Sequence, residues 1–283
     1  MANLLSLKRR IKTAQNVSKT TKAMQMIAAS KLKRAQNAAL SARPYVDKLS
    51  SLSKNISEKV DLEDRIDYMK PKATGSKKLM LIIAPDKGLC GGLVTNLSRE
   101  LLNFYKDNKN SNFITVGKKA NGAVGLIGGE IEAAFDFGTT LPSYDKVYPV
   151  MSIIDDLYLS GKTSEVYIIN SNFKSVFTQE PGIKKLLPVR FEVTKKKSFI
   201  TTFEPNAQEL LPGLIRHYLE MTIFQSFLEG YLSEQAARML AMQNATNNAR
   251  DIIEELKLVY NKSRQEKITN EILDIAGGVF THA

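Results

Sequence analysis

One stretch of the 283-residue chain invites a chemical reading: Pro85-Asp-Lys-Gly-Leu-Cys-Gly-Gly-Leu93. It follows a short apolar run, Leu79–Ala84, and leads into a helical pattern, the place where α/β folds cradle phosphates. The spacing does not fit that chemistry. Gly88, Gly91 and Gly92 do not make G-x-G-x-x-G, and no Gly-Lys-Ser/Thr closes a phosphate loop. No acid follows the second strand to hold a ribose, because Phe113–Val116 runs into Gly117-Lys118. The glycines therefore read as a tight strand-to-helix turn. Cys90 beside them reads as a small packed side chain rather than a nucleophile. One cysteine excludes an internal disulfide and a Cys-rich zinc site, and two distant histidines, His217 and His282, make no metal centre or Ser-His triad. Asp155-Asp156 and Glu254-Glu255 are neighbours on helices and point in different directions, so neither is a shared acid–base pair. No catalytic, cofactor-binding or metal-ligating residue is predicted.

The charge is more informative. The chain carries 40 Lys and Arg against 29 Asp and Glu, a net charge of +11. Residues 1–60 hold 13 of the bases and two of the acids, so the whole excess sits there, and the first acid is Asp47. Such a segment attracts a polyanion: nucleic acid, an anionic membrane surface or an acidic protein. No run approaches 18 apolar residues, so no membrane span is expected. MANLLSLKRRIKTAQ lacks the apolar core and cleavage site of a secretory signal. Its basic, amphipathic character suits a transit peptide, but the helical pattern runs on to about Glu58, so it reads as part of the working protein.

Three parts position these features: a helical segment over 1–60, a central part over 77–203 and a second helical segment over 206–283. In the first, Leu4, Leu7, Ile11, Ala14, Ala28, Leu32, Ala35, Ala39, Ala42, Val46, Leu49, Ile56 and Val60 follow alternating steps of three and four, a heptad seam. The seam fails at Ser18, Thr21 and Gln25, where the apolar side is expected to shift to Val17, Met24 and Ile27. Pro44 is expected to kink the helix. The second seam reads Leu214, Tyr218, Met221, Leu228, Leu232, Met239, Met242, Ala249, Ile253, Leu256 and Tyr260, then moves to Ile268, Ile272 and Ile275. At ~1.5 Å per residue the two helices reach about 80 and 100 Å, too long to bury end to end, so they should pair and project. In the central part Leu79–Ala84, Phe113–Val116, Ile131–Phe135, Val166–Ile169 and Ser198–Phe203 read as strands. Asn96–Tyr105 and Val147–Leu159 read as helices. The fold class is α/β: a mostly parallel, Rossmann-like sheet domain carrying two long helices.

The N-terminal seam is thin. Alanine at 14, 28, 35, 39 and 42 forgoes about 2 kcal/mol of burial per position relative to leucine. In return the helices can approach closely, which suits a shaft fitted inside something whose acidic wall meets the basic face. The C-terminal end, Ile268–Phe280, is apolar where a projecting end should be polar, so a hydrophobic collar is expected to receive it.

Four stretches, Lys19–Gln36 (KTTKAMQMIAASKLKRAQ), Asp86–Leu93 (DKGLCGGL), Ser233–Ala249 (SEQAARMLAMQNATNNA) and Glu255–Gly278 (ELKLVYNKSRQEKITNEILDIAGG), closely resemble the gamma subunit of rotary proton-translocating ATP synthases. The likeness spans the chain and keeps the motif order. The resemblance implies an antiparallel, left-handed coiled coil of the terminal helices, standing in a ring of three alpha and three beta subunits that hold the nucleotides. It also implies an epsilon subunit and a membrane c ring at the other end, no cofactor of its own, and a role in regulating ATPase activity. Carried onto matching positions, Lys22, Met24 and Lys31 would face the acidic lever segment of beta. Arg264, Gln265 and Thr269 would form a polar catch, and Ile272, Ile275 and Val279 would run in an apolar bearing. The family often has Gly-Ala near the tip, where this chain has Gly277-Gly278-Val279-Phe280, and the dithiol insert of the chloroplast form is missing. The start of the chain suits a bacterial protein at the cytoplasmic face of the inner membrane. The competing reading is a basic coiled-coil nucleic-acid-binding protein, against which stands the single aromatic residue, Tyr45, in the basic segment.

Overall fold

The computed structural model describes residues 4–60, 66–72, 76–191, 204 and 206–280, with side chains described as far as Leu273. The elements are α1 (Leu4–Ser57), β1 (Lys77–Ile83), α2 (Leu93–Asp107), β2 (Ser111–Val116), α3 (Lys118–Leu126), β3 (Glu130–Phe135), α4 (Val147–Leu159), β4 (Thr163–Phe173), β5 (Gln179–Leu187) and α5 (Ala207–Phe280). Two single-turn helices, Asp67–Met69 and Tyr144–Lys146, precede β1 and α4. No helix among the described residues is long and apolar enough to cross a membrane. The chain divides into two compact units, one of residues 1–28 with 239–283 and one of residues 29–238. The division falls inside both long helices rather than at a loop.

In the larger unit the strands lie in the order β3-β2-β1-β4-β5. β1 is parallel to β2 and β4, β2 is parallel to β3, and β5 runs antiparallel to β4. The predicted strands over 79–84, 113–116, 131–135 and 166–169 are all present. β5 is an addition, since Pro181, Gly182, Lys184 and Lys185 hide it in the sequence, and proline is tolerated at an edge. The strand expected over 198–203 lies outside the described residues. β1 is central, and Leu79–Ile83 are at most 2% exposed, as a strand covered on both faces requires. Met80, Ile82 and Ala84 pack with Leu97 and Leu101 of α2 and Ala120 and Val124 of α3. The alternate residues face the other way, where Ile83 meets α5 at Gly230: a Cβ there would come within 3.2 Å of the isoleucine methyl.

The seam of α1 is straighter than its composition suggests. All seventeen heptad positions from Leu4 to Val60 are buried or half-buried. The predicted shift at Ser18, Thr21 and Gln25 does not occur. Those polar residues stay inside with Met24, while Val17 and Ile27 are 47% and 58% exposed. In the smaller unit, the Thr21 hydroxyl lies 2.7 Å from that of Thr246, which donates to the Met242 carbonyl at 2.8 Å. With partners available, hydroxyls can hold the inner face and no rotation is needed. The helix continues through Pro44.

The seam of α5 also departs from prediction. In the larger unit Leu211, Ile215, Leu219 and Ile223 are fully buried, whereas Leu214, Tyr218 and Met221 are half-buried. The reason is that this stretch faces two surfaces. It meets α1 through Gln225 to the Ala39 carbonyl and His217 to Tyr45, an antiparallel order, and through the ion pair of Arg43 with Glu229. It also meets the sheet domain through Arg216–Asp155 and Ser233 to the Ser171 carbonyl. In the smaller unit the heptad is regular over Met242, Ala249, Ile253, Leu256 and Tyr260, but Ile268 and Ile272 are 47% and 59% exposed and do not continue it.

The small seam residues are set by the approach of the helices: Ala35 is fully buried. Ala35→Leu should lower stability by about 1–3 kcal/mol through overpacking, read from chemical denaturation.

Candidate partner interface

The crevice that this fold class uses for ligands is filled by the chain itself. In an open α/β sheet ligands sit outside the carboxyl ends of the strands, where the strand order reverses, here between β1 and β4. Over that edge passes α5. Gly230 lies on Ile83, Tyr231 donates to the Thr139 carbonyl at 3.3 Å, and Ser233 donates to the Ser171 carbonyl at 2.9 Å. Arg238 donates to the carbonyls of Lys87 and Gly88, both at 3.2 Å, and pairs with Glu234 at 2.6 Å. The glycine loop is thus held down on α5, with Cys90 and Leu93 packed against Ala237. Positive φ at Leu89 and Gly91 makes the turn that this docking needs.

The anion seat is taken as well. Asp86 accepts hydrogen bonds from the backbone N–H groups of Lys118, the first residue of α3, at 2.9 Å, and of Gly138 at 2.6 Å. A helix N-terminus of this kind binds phosphate in nucleotide-binding folds, and here an internal carboxylate fills it. Burial acts to raise the Asp86 pKa, but the backbone hydrogen bonds from Gly138, Lys118 and Phe137 outweigh it and hold the group below its ordinary value. Burial pushes the Cys90 thiol up, so the thiolate is disfavoured. Burial also raises Glu234, with the Arg238 charge opposing. Among the described residues no cluster of three or more His, Cys, Asp or Glu side chains is arranged to hold a metal.

What remains open is the surface of the long helices. None of the nine bases from Lys8 to Arg34 makes an ion pair among the described residues; further along α1, Arg43 pairs with Glu229 at 2.9 Å. Lys22 and Met24 are half-buried, with the Lys22 ammonium 3.3 Å from the Gln25 carboxamide. Lys31 donates to the Thr139 carbonyl at 2.6 Å. On α5 every side chain from Arg264 to Leu273 is exposed. Gln265 and Thr269 line a shallow polar groove with Lys262, Glu266 and Asn270. Ile272 and Leu273 stand 59% and 61% exposed, and the side chains of Ile275 and Val279 lie outside the described residues.

A family model described as ATP synthase matches residues 3–280. A protein of Dehalococcoides mccartyi named ATP synthase gamma chain is 39% identical over 280 residues, covering 98% of both chains. The chain belongs to the ATP synthase gamma chain family. A gamma chain of Burkholderia ambifaria is 36% identical over 288 residues, covering 98% of this chain and 99% of its own. In solved structures, a chain of the Euglena gracilis mitochondrial ATP synthase (OSCP/F1/c-ring, rotational state 3) superposes with a TM-score of 0.70 at 16% identity, covering 98% of this chain and 94% of its own. A Tetrahymena thermophila central stalk/c-ring chain gives 0.59 at 21% identity, covering 80% and 99%. The fold of this gamma chain family member is therefore that of central-stalk chains.

Sequence reading found the loop of this family member but not its use. Asp86 lies within the DKGLCGGL motif, and Glu234 and Arg238 are four apart on α5, the helical spacing for an ion pair. Those two signals were present, but nothing in the sequence pairs the loop with a helix some 150 residues away.

Asp86→Asn should lower the melting temperature at neutral pH. Because the native pKa is depressed, the stabilisation is full above about pH 4 and is lost as pH falls through the native value; the variant should lack that component of acid sensitivity. The Cys90 thiol should react with a maleimide or disulfide reagent orders of magnitude more slowly in the native chain than in denaturant, read by mass spectrometry.

Proposed function

We propose that the chain is the central rotor stalk of a proton-translocating ATP synthase. It couples rotation of the membrane c ring to the nucleotide sites of three beta subunits and helps regulate ATPase activity. Its partners are three alpha and three beta subunits, an epsilon subunit and the c ring, and its place is the cytoplasmic face of the bacterial inner membrane. It performs no chemistry itself, a reading supported by the way α5 and Asp86 fill the crevice where an α/β domain would hold a nucleotide.

The observation that carries the interface is the combination of nine bases, Lys8 to Arg34, without an ion pair among the described residues and an α5 end whose apolar side chains Ile272 and Leu273 are bare. Both are surfaces to be completed by other chains. Lys22 and Met24 meet an acidic segment of beta. Lys31 does so while also holding Thr139. Arg264, Gln265 and Thr269 form a polar catch, and Ile272, Ile275 and Val279 run in the apolar bearing of the head.

Expression with the other subunits should yield a complex containing one copy of this chain per three alpha and three beta. Isolation as a free chain under those conditions would refute the reading. Lys22→Glu should reduce coupled ATP turnover several-fold with an unchanged melting temperature of the isolated chain. Lys31→Glu should reduce coupled turnover and also lower the melting temperature of the isolated chain, because it breaks the Thr139 contact. Removal of the chain from Ile268 onward should weaken coupling and assembly while nucleotide affinity at beta stays the same.

A further inference from the structure

One carbonyl oxygen of the sheet domain is held by both long helices. The Thr139 carbonyl accepts from the Lys31 ammonium of α1 at 2.6 Å and from the Tyr231 hydroxyl of α5 at 3.3 Å. A carbonyl oxygen has two lone pairs, and here both are engaged. All three residues lie in the larger unit.

The turn that carries this oxygen, Phe137-Gly138-Thr139 between β3 and α4, is fixed from several sides. Asp86 accepts from the backbone N–H groups of Phe137 at 3.4 Å and Gly138 at 2.6 Å. The Lys146 ammonium donates to the Phe137 carbonyl at 2.6 Å. The Phe137 ring, 1% exposed, lies against Phe227 and Tyr231 of α5, with centroids 6.0 and 6.4 Å apart. Gly138 takes a φ of +89°, which side chains rarely adopt, and a Cβ there would sit 2.9 Å from the Lys146 nitrogen. Loops at this edge of an α/β domain are ordinarily mobile and carry ligands. This one is tied down, and its outward acceptor is given to the two helices.

A turn of the sheet domain about the helix pair would carry the Thr139 oxygen away from both donors together. We propose that this carbonyl is a three-way joint through which torque passes between the sheet domain and the two helices, with Tyr231 and Gly138 as positioning residues. The inference rests on the rotor function proposed for the chain. Lys31 reaches the joint on a flexible stem, which can follow a swinging domain. Tyr231 reaches it on a ring held against Phe137, so the stiffness of the joint comes from α5.

The test uses the complex with its partner subunits, anchored by the head, with a gold particle attached through Lys109→Cys in the exposed loop before β2. The native thiol, Cys90, is buried and leaves the label to that position. The angular spread of the particle at each pause of ATP-driven rotation reads how firmly the domain is held on the helices. Tyr231→Phe keeps the ring and removes one donor, and Gly138→Ala disturbs the turn that aims the carbonyl. Each should widen the spread at least about 1.5-fold and lower proton-driven ATP synthesis at least about twofold, with unloaded ATP hydrolysis unchanged. Ser233→Ala removes a different bond from α5 to the sheet domain, the one to the Ser171 carbonyl, and should alter neither readout. The joint is overturned if Tyr231→Phe and Gly138→Ala match the unaltered chain in spread and synthesis, or if Ser233→Ala shifts both as far as they do. Absence of ATP-driven rotation with the unaltered chain would overturn the rotor reading together with the joint, so the two failures are told apart.

Discussion

The constraint on which the rest depends is the passage of α5 across the carboxyl ends of the parallel strands at backbone range. At Gly230 a Cβ would come within 3.2 Å of Ile83 and 3.9 Å of Phe137. Once a helix lies there, the glycine loop after β1 has no room to cradle a ligand. Its carbonyls accept from Arg238 instead, and its cysteine becomes a core atom. The same seat accounts for the run from Leu219 to Ala237, in which nearly every side chain is buried, including Ser233, Glu234 and Gln235. A helix covered by α1 on one side and by a sheet on the other has no solvent face to spare for polar residues, so those residues must bond to what covers them.

Asp86 extends the same logic. Parallel strands leave a helix N-terminus and free N–H groups at their carboxyl edge, and these need an acceptor. A nucleotide-binding domain borrows it from a phosphate. In this chain the acceptor is covalently part of the loop, so the edge is satisfied permanently, and the fold persists as a rigid mount.

The fold was largely legible in the sequence, and the exceptions are physical. Strands with continuous apolar runs, such as Leu79–Ile83, announce themselves because both faces are covered. β5 did not, because an edge strand needs only one buried end, here Leu186 and Leu187. The heptad of α1 is legible even through its polar stretch, but that stretch mimics a shift because periodicity counts apolarity and is blind to hydrogen bonds. Thr21 and Thr246 are partners 225 residues apart, a pairing that no local pattern encodes. For the interface, charge asymmetry pointed to α1 and the apolar end pointed to α5. The internal bond from Lys31 to Thr139 needed coordinates, since nothing marks one lysine of a basic run as the one held by the chain's own domain.

That threonine pair also bears on how the paired helices carry load. Thr21 can donate to Thr246, which donates onward to its own helix at the Met242 carbonyl, so the two rods are keyed at a single height. Apolar seams are forgiving of axial creep, because a methyl is content beside any other methyl. A keyed seam is less so: advancing one rod by a turn parts the Thr21–Thr246 pair. Twist applied at one end is then delivered to the other as twist, rather than lost as sliding.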